Sequence, residues 1–225
     1  MDFREVDRKL CLIQDSRFVQ VLDPEQKTQA NAVLFCGYID HTRGLTYEAL
    51  GLVKWEGDDY ELISDTQGIG LKVHADSVDE AQVLPIEDTE LESRFQRTID
   101  TLSVYYRNEG LAGARALTEL DPFRHPQHPD DVCALFLTPE NRLERMWVQS
   151  ELATHAADGT LLIAGKLLNE PDNIPGLHTS VICSSSKSTF FLTSSQRSIR
   201  CQALRHRICR SITIPSWTKD CLFAQ

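Results

Sequence analysis

The segment R124-H-P-Q-H-P-D-D131 gathers two imidazoles and two carboxylates into eight residues. His and Asp ligate hydrolytic metal ions and act as general bases, so His125, His128, Asp130 and Asp131 are the candidates for a metal-dependent hydrolase. The spacing argues against that chemistry. A proline follows each histidine and holds the backbone extended, and neither imidazole sits on a helix at i, i+4 spacing, where two rings would converge. A polar turn feeding a strand at Val132 explains the same residues, with Asp130 and Asp131 bonding its backbone amides.

Cys201, His206, Cys209 and Cys221 have the ligand types of a four-coordinate zinc site. They lack the paired C-x-x-C knuckles that make such a site specific, and no metal is expected there. The surrounding R197-S-I-R-C-Q-A-L-R-H-R-I-C-R210 is basic enough to touch nucleic acid or lipid, but arginine content alone selects no partner. No G-x-S-x-G elbow or other nucleophile–base frame is present. G68-I-G-L-K72 is too short for a phosphate loop, so Gly68 and Gly70 read as turn or bulge positions. The expectation is a chain without catalytic residues or cofactor.

The elements that would position these residues follow from periodicity. Short apolar runs predict strands at L10-C-L-I13, F18-V-Q-V-L22, A32-V-L-F-C36, L50-G-L-V-K-W55, Y60-E-L-I63 and I69-G-L-K-V73, with W55-E-G-D-D-Y60 as a hairpin turn. Asp23 and Pro24 predict a short helix over residues 25–31. Leu91, Phe95, Ile99 and Leu102 recur at helical spacing, predicting a helix over residues 87–108, and a second is expected over residues 111–120. V132-C-A-L-F-L137, R145-M-W-V-Q149 and T160-L-L-I-A-G-K-L-L168 predict an antiparallel meander. The fold class is therefore α+β. A β-rich N-terminal domain with a short helix spans residues 1–85, a helix pair with a meander packed on helix spans 86–178, and a tail spans 179–225.

The 225 residues carry a formal charge of −10, which repels nucleic acid and anionic lipid. No apolar run approaches the roughly 20 residues of a membrane span, and the charged N-terminal stretch is unlike a secretory signal, so the expected location is the cytoplasm. Cys11, Cys36 and Cys133 lie in apolar, strand-like contexts and read as reduced, structural thiols. The charge is unevenly divided: residues 1–178 hold 16 Lys/Arg and 32 Asp/Glu, whereas residues 179–225 hold seven and one.

The order of L120-D-P-F-R-H-P-Q-H-P-D-D-V132, E144-R-M-W-V148 and Gly165-Lys-Leu-Leu-Asn-Glu-Pro171 resembles the YegJ-like group, a bacterial family of small domains of unknown function. The resemblance covers about residues 119–178 and implies a fold more than an activity; comparable small acidic domains occur among toxin-immunity and regulatory proteins. Alternation sets Met146 and Val148 on one face and Arg145 and Trp147 on the other, so Trp147 either caps a second core layer or lines a groove, with core packing favoured. Asn169 and Pro171 end their strand in a turn. The binding residues selected by this reading are Trp147, Arg124, Asn169 and Glu170.

The family pattern next requires Gly-Asp where this chain has Thr179-Ser180. A permitted choice of synonymous codons for T179-S-V-I-C-S-S-S-K-S-T-F-F191, advanced by two bases, reads V-G-D-L-L-Q-F-E-V-D-V-L. A frameshift after about His178 would replace the native C-terminus, remove the last strand, leave the tail poorly packed and make its cysteines accidental. The leading expectation is thus a non-catalytic cytoplasmic bacterial module of regulatory or toxin-immunity type, binding a basic partner protein. The alternatives are the hydrolase above and nucleic-acid binding through the tail.

Overall fold

The structure is a computed structural model. It describes residues 1–66, 70–138, 140, 142–155, 157 and 161–174, and the backbone of 190–195 and 198–203. The fold is α+β and forms two units, Met1–Arg107 with Pro126–Pro129, and Asn108–His125 with the chain from Asp130 onward.

The first unit contains β1 (Leu10–Ile13), α1 (Ser16–Leu22), β2 (Ala32–Asp40), β3 (Gly44–Glu56), β4 (Asp59–Asp65), β5 (Lys72–His74), β6 (Val83–Ile86) and α2 (Thr89–Tyr105). Its antiparallel sheet runs β4-β3-β2-β1-β6, with β5 also paired to β3. Alternation along β1 and β2 feeds two cores: Cys11, Ile13, Val33 and Phe35 meet Phe18 and Leu22 of α1. On the opposite face Leu10, Leu12, Leu34 and Tyr38 meet Leu91, Phe95 and Leu102 of α2. A sheet buried on both faces needs apolar residues at every position, which is why its strands read as continuous apolar runs.

Two local expectations are corrected. F18-V-Q-V-L22 is helical, because the Asp15 carboxylate accepts a bond from the Arg17 amide at the helix start and Phe18 and Leu22 fall on one face. Residues 25–31 form no helix. The Asp23 carboxylate instead accepts the amides of Lys27 and Thr28 and the Thr28 hydroxyl, which fixes a turn. The domain boundary expected after residue 85 falls after Arg107, since α2 supplies the lid of one core of the first sheet. Part of the strand expected over I69-G-L-K-V73 is β5; Gly68 and Ile69 lie outside the described residues.

The second unit contains α3 (Glu109–Ala116), β7 (Asp131–Leu137), β8 (Leu143–His155), β9 (Leu161–Leu167), β10 (Phe190–Ser195) and β11 (Ser198–Ala203). The strands form the expected antiparallel meander, ordered β11-β10-β9-β8-β7. Val132, Ala134, Met146, Val148, Ile163 and Leu167 build a core with Ala114 of α3 and Leu120. The expected helix pair is therefore divided between the units. In the tail, where the last strand was expected to be lost, β10 pairs with β9 through Leu192↔Ile163; the tail beyond β10 and β11 lies outside the described residues. No helix among the described residues is long and apolar enough to cross a membrane.

Three carboxylates that organise the first unit give it an acid-sensitive stability. The Arg17 guanidinium holds Asp15 below the usual range, the Thr28 hydroxyl does so for Asp23, and the Leu91 amide at the start of α2 does so for Asp88. A depressed native pKa stabilises the fold above the unfolded value of about 3.9 and ceases to do so as pH falls through the native value. Melting temperature should accordingly drop as pH falls below about 4, and a D15N/D23N/D88N chain should show a flatter profile.

Candidate binding surfaces

The residues nominated for hydrolysis are committed to structure. Asp130 is 2% exposed and accepts two bonds from Arg115, at 2.8 and 2.7 Å. Its carbonyl accepts both the amide and the hydroxyl of Ser150. Asp131 opens β7 opposite Gln149, and its carbonyl accepts the His125 amide. The His125 ring meets Trp147 edge-on at 5.4 Å. His128 belongs to the first unit, beside Gly44, so the two histidines are in different units. Among the described residues no three His, Cys, Asp or Glu side chains are grouped to hold a metal. Cys201 lies on β11 opposite Leu192, and His206, Cys209 and Cys221 lie outside the described residues.

The nominated binding residues divide in the same way. Arg124 has a side chain only 4% exposed; it donates to the Asp121 carboxylate and to the carbonyls of Ala114 and Leu117. The Ala114 carbonyl lies in the last turn of α3 and the Leu117 carbonyl just past it; each also accepts one backbone amide, from Leu117 and Leu120, so Arg124 adds a second bond to both and closes the helix C-terminus. The Asn169 Oδ1 accepts the Trp147 amide at 2.7 Å, one bond beyond Leu168 N–H to Trp147 carbonyl, and prolongs the ladder past β9. Glu170 is exposed beside it. Trp147, for which core packing was favoured, is half-buried on the sheet face opposite the core. Cys11 and Cys36 face opposite cores of the first sheet, and burial pushes the Cys36 thiol up to about 12, consistent with inert packing.

A surface missed in the sequence lies on the first unit. The Tyr60 hydroxyl donates to the Asp88 carboxylate at 3.0 Å and ties edge strand β4 to the start of α2. Asp58, Asp59 and Glu61 lie on β4 and the turn before it, with Asp59 and Glu61 alternating away from the Tyr60 face, and Glu87 and Glu90 flank Asp88 at the start of α2. All five are exposed, and none has a cationic partner among the described residues. Nearby Lys54 is paired with Glu56, and Arg94 with Asp65.

Comparison with protein-family profiles, curated proteins and solved structures gives no match to this chain.

Proposed function

We propose that this chain is a non-catalytic bacterial protein of the cytoplasm, of regulatory or toxin-immunity type, that binds a basic partner protein. The second unit would be a YegJ-like domain, with the sequence beyond about His178 displaced in frame. The observation carrying the binding reading is the run of exposed carboxylates at the β4 edge, Asp58, Asp59 and Glu61, which have no cationic partner among the described residues, together with exposed Glu87 and Glu90 at the start of α2. Residues 1–107 hold 21 Asp/Glu against 11 Lys/Arg, so the wider field reinforces this surface. Such a field attracts a basic protein during encounter and repels nucleic acid. The carboxylates also protect the open edge of β4 from pairing with another copy.

The test is affinity capture from the native bacterium with its neighbouring genes expressed, followed by titration of the captured protein. A D58K/D59K/E61K chain should bind that partner about tenfold or more weakly, chiefly through slower association, and added salt should weaken the wild type. Retention of a basic protein that ignores both the reversal and salt, or failure to retain any, refutes the reading.

A further inference from the structure

We infer that the open face of the second sheet docks a partner protein through an apolar contact segment bearing carboxylates. This is separate from the acidic surface of the first unit. Along β7, β8 and β9 one set of alternating side chains enters the core under α3, while the other set faces away from it. Leu143 and Leu168 on that second face are 49% and 41% exposed, with half-buried Trp147 and Leu135 among them, whereas exposed Leu152 lies past a bulge in β8 beside Gly110 of α3. Leu143 and Leu168 are two of the nine large apolar side chains left exposed among the described residues. Their concentration on one sheet face distinguishes them from the scattered exposed hydrophobes of an ordinary surface.

Charge selects the occupant. Leu135 is paired with Arg145, Cys133 with Trp147 and Gln149 with Lys166, so cations occupy register positions on both sides of the tryptophan. Arg145 and Lys166 are exposed and have no carboxylate partner among the described residues. The described carboxylates at strand positions outside the core are Asp131, at the start of edge strand β7, and Glu151, at the bulge toward the far end of β8. A second copy stacked face to face would oppose like cations, which disfavours self-association. Nucleic acid would meet Arg145 and Lys166, with Arg200 at a register position of β11, beside the carboxylates of Asp131 and Glu151, on a chain whose residues 1–178 carry 16 Lys/Arg against 32 Asp/Glu. A protein segment alternating apolar and acidic residues satisfies both the leucines and the cations.

The test titrates the full chain into fluorescent peptides of alternating Leu-Glu or Leu-Lys sequence and follows anisotropy. The Leu-Glu peptide should bind about tenfold or more tightly than the Leu-Lys peptide. The R145E/K166E variant should reverse that order, and L143N/L168N should weaken the Leu-Glu complex; unchanged melting curves for these exposed substitutions establish that both variants fold. Equal binding of the two peptides, or a preference that survives R145E/K166E, overturns the inference. Sedimentation of the wild type as a dimer dispersed by R145E/K166E would assign the face to a second copy and overturn it as well. Neither outcome touches Asp58, Asp59 or Glu61, so the basic-partner proposal stands or falls separately.

Discussion

Asp130→Ala should destabilise the second unit by about 3–5 kcal/mol, because the substitution strands a buried guanidinium. Asp130 and Arg115 have side chains only 3% and 13% exposed, and their two parallel bonds leave neither group access to much water. Arg115→Ala should cost a similar amount by removing both charge-assisted bonds to the buried carboxylate. Replacing both by apolar residues, as in R115M/D130L, should recover most of the loss, because the pair's mutual attraction is largely offset by its desolvation. Hydrogen exchange at β8 amides in the three chains measures this, Ser150 being bonded directly to the Asp130 carbonyl. The same experiment separates structural from hydrolytic use of Asp130: a carboxylate maintained for activity commonly leaves stability unchanged or raised on removal. A stable Asp130→Ala chain would reopen the hydrolase reading.

Where an element's signal was local, the sequence sufficed. α2 announced itself through Leu91, Phe95 and Leu102 at helical spacing, and the β3–β4 turn through Gly57-Asp58 between alternating segments. Alternation in E144-R-M-W-V148 correctly separated the core side chains Met146 and Val148 from Arg145 and Trp147. α1 was hidden because seven residues cover barely two turns and Val19 and Val21 favour strands; only the Asp15 cap pointed to helix. The roles of Arg124 and Asp130 depend on carbonyls and a guanidinium 7–15 residues earlier in another element. Their residue types indicated polar contacts, but only the packing of α3 against β8 supplied the partners.

Gly44→Ala should cost about 2–5 kcal/mol, combining the penalty for a left-handed backbone with that for overpacking. Gly44 has φ +80°, and a β-carbon there would lie 2.3 Å from the Gln127 carbonyl oxygen and 2.7 Å from His128 Nδ1. The imidazole could rotate, but the carbonyl is backbone and already accepts the Leu45 amide at 2.8 Å. The substitution must therefore lift Pro126–Pro129, by which the chain returns to the first unit before β7. Gly57→Ala is the control: its φ is +64°, but nothing lies within 4 Å of the added carbon, so only backbone strain of about 1–2 kcal/mol applies. The excess cost at Gly44 reports how firmly the returning segment is held, and exchange at the Leu45 amide should accelerate in that variant alone. Equal penalties and equal exchange in the two variants would mean that residues 126–129 contribute no stability to the first unit.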